Sequence, residues 1–490
     1  MEDFDHVHVV SDLHLGGEPG YQIFGQTRAL AAFIDHVAAA PGRGALVING
    51  DFVDFLACAR PTPPRYLDVD GACAKLDLVV ERFAPVFAAL QRLVARDDKR
   101  LVVALGNHDV ELALPEVQAR LAAHLAAPPG RLTLWHDRDA WQCTVGGRRV
   151  WCAHGNEVDP WNVVPRDDLA ALADARARGA PYEWRPNAGT RLVVDVMNPV
   201  KASYAWVDLL KPETVIVPGI LYALPERPAA NLSAFARVLA RLAWDRGRRA
   251  AGFLSDEDAP DDDEALARLL REGGYDAPAR SGDAWLAQAA DDFARGARAE
   301  EFVPDDDGTL GAWDDLRFAA DVAVGVDDGP ERLRRALGRY LAGDDTFRHD
   351  ADDDTARAVD QLAPEEADVV VAGHTHLHRM LPRRHGGGVY FNSGTWIRLM
   401  RLTPEQLATP AAFAPVYAAL TTKRPGGGVA ALDEGGYVMN RNSVVSVERA
   451  ADGAVLASLR CVHEEGRLDP FGRLWDVVAE RRFPPAGVSP

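Results

Sequence analysis

Five short segments of the chain carry side chains that can bind metal ions, and each directly follows an apolar run typical of a buried β-strand. In chain order they are Val9-Val10-Ser11-Asp12-Leu13-His14, Asn49-Gly50-Asp51-Phe52-Val53-Asp54, Leu105-Gly106-Asn107-His108-Asp109, Cys152-Ala153-His154-Gly155-Asn156 and Ala372-Gly373-His374-Thr375-His376. In an open α/β sheet the carboxyl ends of the strands collect at one edge, where ligands bind. We therefore expect the five segments to converge.

The candidate ligands combine imidazole nitrogens with carboxylate and amide oxygens and include no thiolate. They are Asp12, His14, Asp51, Asn107, His154, His374 and His376. Such donors suit manganese, iron, zinc or nickel better than a structural zinc ion. Seven ligands exceed the needs of one tetrahedral ion, whereas two ions that share a bridging carboxylate would use them all. Ion pairs of this kind lie ~3.5–4 Å apart and clamp the attacking and leaving oxygens of a phosphoryl transfer. The sequence thus predicts two divalent metal ions, with manganese expected first.

The motifs DxH, GDxxD, GNHD, HGN and GHTH, in this order and each after a predicted strand, resemble the metal-binding signature of the calcineurin-like metallophosphoesterases. The resemblance implies an α/β fold in which central mixed β-sheets are flanked by helices in a four-layer sandwich. It also implies how the ligands divide between the two ions. One ion would be bound by Asp12, His14 and His376, the other by Asn107, His154 and His374, and Asp51 would bridge them.

The resemblance further implies the catalytic residues. His108, positioned by Asp54, would lie beside the metals, where it would stabilise the transition state or protonate the leaving alkoxide. A histidine oriented by a carboxylate is a suitable acid near neutral pH. Asn107 and His108 would contact the substrate, and the nucleophile would be a metal-bound hydroxide. The implied activity is hydrolysis of a phosphomonoester or a phosphodiester.

Two alternative functions stay open. The segments from Ser11 to Gly16 and from His154 to Asn156 are similar to the UDP-2,3-diacylglucosamine pyrophosphatase branch, a nucleotide-lipid pyrophosphatase that works at the membrane surface. His108 argues against this branch, which often lacks a histidine at that place. The other alternative is a non-catalytic metal-binding scaffold, although this chain has lost none of the ligands.

The strand-like runs divide the chain into three parts. Residues 1–160 alternate strands and helices, which indicates an α/β sheet, and strand patterns return at Asp368 and continue to a predicted hairpin. Residues 161–364 are rich in Ala, Arg, Leu and Asp, with helical periodicity at Ala234–Trp244 and Glu331–Leu341. We predict a catalytic domain formed by residues 1–160 and 365–490, the second part ending in a β-hairpin, and interrupted by a mainly helical insertion or cap over residues 161–364.

Composition limits the partners and the compartment. The formal charge of -19 repels phosphate backbones, so we expect a small phosphoester substrate and no stable nucleic-acid binding. Five cysteines without a CxxC pair and an acidic start without signal-peptide character indicate a cytoplasmic protein. The longest apolar candidate, Val215 to Leu224, is half the ~20 residues that a membrane-spanning helix needs. We therefore predict no transmembrane segment.

Overall fold

The computed structural model describes residues 1–17, 21–58, 67–136, 140–159, 161–180, 184, 186–201, 203–210, 329–341, 346–422 and 427–485. The chain forms two compact units. The first unit comprises residues 1–190, 345–400 and 438–490, and the second comprises residues 191–344 and 401–437. Residues 161–190 and 345–364, which the sequence analysis gave to the insertion, therefore lie in the first unit, and residues 401–437 lie in the second.

Seventeen strands are described. They are β1 (Glu2–Phe4), β2 (His6–Val10), β3 (Leu15–Gly16), β4 (Gly44–Asn49), β5 (Val53–Asp54), β6 (Lys99–Ala104), β7 (Leu132–Trp135), β8 (Trp141–Val145), β9 (Arg148–Cys152), β10 (Val369–Ala372), β11 (His378–Pro382), β12 (Val389–Ser393), β13 (Arg398–Met400), β14 (Val438–Asn440), β15 (Ser443–Arg449), β16 (Val455–Val462) and β17 (Trp475–Phe483).

The described α-helices of the first unit are α1 (Thr27–Ala39), α2 (Val69–Arg82), α3 (Ala84–Val94), α4 (Pro115–Leu125) and α5 (Arg166–Ala177), followed by α6 (Ala188–Arg191) at its boundary. Those of the second unit are α7 (Asn198–Lys201) and α8 (Gly329–Leu341). The chain returns to the first unit for α9 (Asp354–Leu362) and to the second for α10 (Pro404–Leu407), α11 (Pro410–Leu420) and α12 (Gly427–Gly435). A π-helical stretch, Leu192–Met197, joins α6 to α7.

Two mixed sheets form the centre of the first unit. The seven-stranded sheet has the order β17-β16-β15-β2-β4-β6-β7, and the six-stranded sheet has the order β1-β8-β9-β10-β12-β11. Strands β2, β4, β6 and β7 are parallel, as are β9, β10 and β12. The candidate ligands follow the carboxyl ends of five of these strands, β2, β4, β6, β9 and β10.

The apolar strands are buried on both faces, which explains why they read as continuous hydrophobic runs. Side chains alternate across a strand. In β4, Ala45 and Val47 belong to the core that also contains residues of the six-stranded sheet, whereas Leu46 and Ile48 pack in the core that includes helices α1 to α4. Helix α9 packs on the opposite face of the six-stranded sheet, against Val370. The successive layers are therefore helices, sheet, sheet and helix, which confirms the predicted four-layer sandwich.

Local departures from the predicted elements have identifiable causes. The helical region between residues 69 and 94 is two helices, α2 and α3, because Pro85 in the first turn of α3 cannot supply the N–H of a continuous helix. The first part of the predicted hairpin region divides into β14 and β15 at Asn442, whose φ is +48°. The predicted hairpin is formed by β15 and β16, and β17 extends it as a third antiparallel strand.

The described part of the second unit is helical. Helix α8 covers the predicted Glu331–Leu341 helix and buries Leu333, Ala336 and Leu337. Trp206 is fully buried and donates its indole N–H to the carbonyl of Leu420 at 2.9 Å. The predicted helix at residues 234–244 and the apolar run at residues 215–224 lie outside the described residues. Within the described part of the chain, no helix has the length and apolar character that crossing a membrane requires.

Candidate metal centre

The five predicted segments lie at the carboxyl ends of five parallel strands. Three follow β2, β4 and β6 of the seven-stranded sheet, and two follow β9 and β10 of the six-stranded sheet. The centre therefore forms where the carboxyl edges of the two sheets meet. Each ligand-bearing loop starts from a buried strand, so its first residues are held by the ladder hydrogen bonds behind them.

The backbone at this edge is strained. Nine residues other than glycine have a positive φ in the described part of the chain, and five of them are predicted ligands. These five are Asp12 (φ +51°), His14 (+45°), Asp51 (+53°), His374 (+69°) and His376 (+63°). Each costs about 1–2 kcal/mol for an L-residue, and such strain concentrates at functional sites. The loops are thus held in conformations that present these side chains.

One group of candidate ligands consists of Asp12, His14 and His376, all buried. Nε2 of His376 lies 3.3 Å from Oδ1 of Asp12 and 3.3 Å from Nε2 of His14. Ligand atoms of the three residues lie within 4.8 Å of one another, close enough to share one ion. The structure therefore brings together the three side chains that the resemblance assigned to one metal.

Asp51 lies between this group and His154. Its Oδ2 is 3.6 Å from Nε2 of His14 and 3.4 Å from Nε2 of His154, while its Oδ1 accepts the backbone N–H of His108 at 2.9 Å. Asp51 also completes two further groups of potential ligands, one with His14 and His108 and one with Asp12 and His154. This central position is the one that a bridging carboxylate needs.

His374 and Asn107 are oriented differently from the other predicted ligands. Among the described residues, His374 falls outside the three groups whose ligand atoms lie within 4.8 Å. Its ring lies near His154, with 5.4 Å between the ring centroids, and its Nε2 lies 2.8 Å from Oδ2 of Asp159. The amide Nδ2 of Asn107 donates to Oδ1 of Asn162 at 3.3 Å.

Asp54 contacts two histidines of the centre. Its Oδ1 lies 3.3 Å from Nδ1 of His108 and its Oδ2 lies 3.2 Å from Nδ1 of His14. Burial would raise the pKa of Asp54, but these two histidines outweigh burial and hold the pKa well below its usual range. Asp54 therefore remains a carboxylate that fixes one nitrogen of each ring.

Close packing around the ligands depends on glycine. A Cβ on Gly106 would collide with the carboxylate of Asp51, and a Cβ on Gly50 would collide with the ring of His154. Gly50 also has a φ of +88°. Any side chain at these two positions would push a predicted ligand out of the centre.

The polar segment Asn392–Thr395 ties the ligand loops together. Asn392 donates its amide N–H to the carbonyl of Gly373 at 2.7 Å, and Thr395 donates its hydroxyl to the carbonyl of Asp12 at 2.8 Å. Ser393 contacts Ser11, with 2.7 Å between the hydroxyl oxygens. The segment thus connects the loops after β2 and β10 and does more than end β12.

The electrostatics of the centre favour a cation. Burial would lower the pKa of His154, but the carboxylate of Asp51 outweighs burial and raises the pKa to about 10. Burial would likewise raise the pKa of Asp51, and the facing His154 and His108 instead lower it. A buried group of carboxylates that stabilises positive charge on a neighbouring imidazole in this way also stabilises a bound metal ion.

Three buried polar atoms at this edge support the same conclusion. Among the described residues, none makes a hydrogen bond with Oδ1 of Asp12, Oδ1 of Asn107 or Nε2 of His154, although Oδ1 of Asp12 and Nε2 of His154 lie at ion-pair distance from His376 and Asp51. Buried polar atoms are normally satisfied, and leaving one unsatisfied costs roughly 1–3 kcal/mol. All three are oxygens or nitrogens of the predicted ligand set, so the donor atoms present fit divalent metal ions.

Two residues that contact the predicted ligands, Asp159 and Asn162, are not predicted from the sequence. Asp159 and Asn162 come five and eight positions after His154, in an irregular loop that lacks a strand or helix pattern. The available signal is a carboxylate and an amide shortly after a histidine ligand, which is too common a combination to single out.

One family model matches part of the chain. The model of the calcineurin-like phosphoesterase family matches residues 6–215. The match includes the first four ligand segments and ends before the fifth. A search of curated proteins gives no match.

Proposed function

We propose that the chain, whose residues 6–215 match the model of the calcineurin-like phosphoesterase family, hydrolyses phosphomonoesters or phosphodiesters at a centre of two divalent metal ions. The observation that carries this proposal is the position of Asp51, which lies between the Asp12, His14 and His376 group and His154. A single bridging carboxylate between two sets of ligands is what a two-metal centre requires.

The proposed ligands form two sets at the carboxyl edge of the two sheets, one on each side of Asp51. Asp12, His14 and His376 hold one ion, while Asn107, His154 and His374 hold the other. His154 already approaches Asp51 through Nε2, and Asn107 offers a buried amide oxygen. When bound, two such ions neutralise phosphoryl oxygens and make a water molecule acidic enough to supply the nucleophile near neutral pH. The mixture of nitrogen and oxygen donors suits manganese, with iron, zinc or nickel as alternatives.

His108 is the proposed general acid. Its side chain is 13% exposed, compared with 2% for His14 and 0% for His154, so it is the most accessible histidine of the three. Oδ1 of Asp54 lies 3.3 Å from Nδ1 of His108, so Nε2 is the nitrogen that we assign to proton donation to the leaving oxygen or to contact with a phosphoryl oxygen. Asn107 and His108 would therefore contact the substrate from the same loop.

The substrate proposed is a small phosphoester. The net charge of -19 disfavours extended contact with a nucleic-acid backbone, and the metal ions would supply local positive charge at the centre. The nucleotide-lipid pyrophosphatase and the non-catalytic scaffold stay as alternatives that the experiment below distinguishes.

The test uses the full chain purified without chelator. We expect about two metal ions per chain by elemental analysis, and Mn²⁺-dependent turnover of p-nitrophenyl phosphate or bis(p-nitrophenyl) phosphate. Complete loss after chelation and recovery with Mn²⁺ are expected because the proposed nucleophile is a water molecule that the metal ions make acidic. No turnover with Mn²⁺, Fe²⁺, Zn²⁺ or Ni²⁺, despite bound metal, would favour the scaffold. Flotation with liposomes together with cleavage of a nucleotide-lipid pyrophosphate would favour the lipid alternative.

A further inference from the structure

Each of three histidines at the centre has one ring nitrogen held by a protein oxygen. Nδ1 of His14 lies 3.2 Å from Oδ2 of Asp54, and Nδ1 of His154 lies 2.7 Å from the carbonyl oxygen of Asn49. These two rings therefore direct Nε2 toward Asp51. A hydrogen bond of this kind fixes the tautomer of an imidazole and the nitrogen that it offers to a metal.

His374 is held through the opposite nitrogen. Its Nε2 lies 2.8 Å from Oδ2 of Asp159, which leaves Nδ1 as the nitrogen available to a metal. The backbone N–H of His374 also donates to Oδ2 of Asp12 at 3.0 Å, so the loop that carries the ring is anchored as well. Asp159 therefore has the relation to His374 that Asp54 has to His14.

The carboxylate of Asp159 is itself fixed by two donors. The backbone N–H of Trp161 donates to Oδ1 at 2.9 Å, and the side-chain amide of Asn162 donates to Oδ2 at 2.7 Å. The side chain of Asp159 is 21% exposed, so its interactions are partly shielded from water. These contacts hold the carboxylate of Asp159 in one orientation.

Asn162 connects this carboxylate to the second proposed ligand of the same ion. Its Oδ1 accepts the amide N–H of Asn107 at 3.3 Å, which directs the amide nitrogen of Asn107 toward Asn162 and leaves the oxygen as the free donor atom. Oδ1 of Asn107 is the buried oxygen for which no hydrogen bond is found among the described residues. Gly189 makes room for this contact, because a Cβ there would collide with Oδ1 of Asn162.

We propose that Asp159 and Asn162 are positioning residues that orient His374 and Asn107 for one ion of the pair, so that Nδ1 of His374 and Oδ1 of Asn107 bind it. This inference rests on the proposed two-metal function. It predicts that the two ions respond differently to changes at Asp159, because Asp12, His14 and His376 are oriented without it.

The test compares wild type with Asp159→Asn and Asn162→Ala by calorimetric titration of the metal-free full chain with Mn²⁺. Asp159→Asn keeps the shape of the side chain and removes its charge, and Asp35→Asn is the matched control because Asp35 is an exposed partner of Arg92. We expect two sites in wild type and the control. In Asp159→Asn we expect one site unchanged and the other weakened by about 10–100-fold, with a smaller loss in Asn162→Ala.

Activity measured against Mn²⁺ concentration gives a second readout. A positioning role predicts that Asp159→Asn needs a higher Mn²⁺ concentration for half-maximal activity, and that excess Mn²⁺ restores most of the kcat. General damage to the fold would lower kcat at every Mn²⁺ concentration, which would overturn the inference. Two unchanged Mn²⁺ sites in Asp159→Asn would overturn it too, while leaving the proposed function intact. Failure of wild type to bind two ions would refute the proposed function and the inference together.

Discussion

Histidines occupy two neighbouring regions of the first unit, the interior of β2 and the carboxyl edge where the metal centre lies. His6 and His8 are buried inside β2, and burial lowers the pKa of both, most strongly for His8. His154 at the edge is equally buried, but its pKa is raised to about 10 because Asp51 outweighs burial. The two regions differ in their carboxylates and not in their exposure to water.

This difference shows what makes a buried histidine a candidate ligand. In β2, His8 has Nδ1 2.9 Å from the hydroxyl of Ser446, a neutral partner, and Nε2 3.9 Å from the half-exposed Glu448. At the edge, each imidazole lies among buried carboxylates that compensate positive charge. A neutral imidazole is stable in the first environment, and a metal ion is stable in the second.

The largest effect is expected from replacing Asp51, whose carboxylate lies between the two proposed sets of metal ligands. Asp51→Asn should lower kcat by at least about 10²-fold, because the amide cannot bridge two cations. Loss of its charge should also lower the pKa of His154 toward that of the β2 histidines, which would reduce the contrast between the regions. Steady-state kinetics with Mn²⁺ measure the first effect, and NMR titration of the metal-free protein measures the second.

Asp35→Asn is the matched control for Asp51→Asn, and both variants should keep the circular dichroism spectrum of wild type. A folded Asp51→Asn enzyme with wild-type kcat would remove Asp51 from the mechanism.

The sequence distinguishes these two kinds of histidine, because some lie within a strand pattern and others directly follow its end. His6 and His8 alternate within an apolar run, whereas Asp12 and His14 follow its end, and the same rule located the ligands after β4, β6, β9 and β10. The apolar runs also indicate an α/β sheet, since strands buried on both faces leave a clear pattern, whereas the two mixed sheets in four layers are implied by the family resemblance.

Other features depend on contacts between distant residues and left no local signal. Asp159 and Asn162 lie in an irregular loop, and their partners His374 and Asn107 are distant in the chain. The assignment of residues 401–437 to the second unit depends on packing between helices far apart in sequence. Strand β17 is largely exposed on both faces, so it lacks the hydrophobic run that identifies the central strands.

A smaller loss of kcat is expected from replacing His108, which is more exposed than His14 and His154. His108→Ala should lower kcat by about 10²-fold, since general acid catalysis typically contributes 10²–10⁴-fold. Because His108 is proposed to act on the substrate and not to hold the ions, the two Mn²⁺ sites should remain in calorimetric titration. The loss should be smaller for p-nitrophenyl esters than for alkyl esters, whose leaving group needs the proton more.

An equal loss for both kinds of ester would argue against the acid role and favour stabilisation of the transition state by His108. Loss of a Mn²⁺ site would instead assign His108 to the metal ligands. His124→Ala is the control and should keep the activity of wild type, because His124 lies on α4, where it contacts Asp77 and none of the proposed ligands.

The smallest effect is expected in β2, and it concerns stability. The folded protein holds His8 neutral because burial lowers its pKa, and the neighbouring His6 and Arg460 lower it further. The unfolded chain instead takes up a proton on this residue near the ordinary pKa of 6.5. Below that pH the unfolded state binds more protons than the folded state, so the free energy of unfolding falls as the pH falls. The slope is at most about 1.4 kcal/mol per pH unit for one group.

His8→Gln isolates this contribution, because glutamine can keep a hydrogen bond to Ser446 and does not titrate. Chemical unfolding of the metal-free protein between pH 8 and pH 5 should show a shallower loss of stability in His8→Gln than in wild type, with the two curves parallel above about pH 7. His385→Gln, at an exposed histidine, is the control and should follow wild type. If His8→Gln lost stability on acidification as steeply as wild type, burial inside β2 would not keep His8 neutral. The difference in pKa between the histidines of β2 and those of the carboxyl edge would then need a cause other than the neighbouring carboxylates.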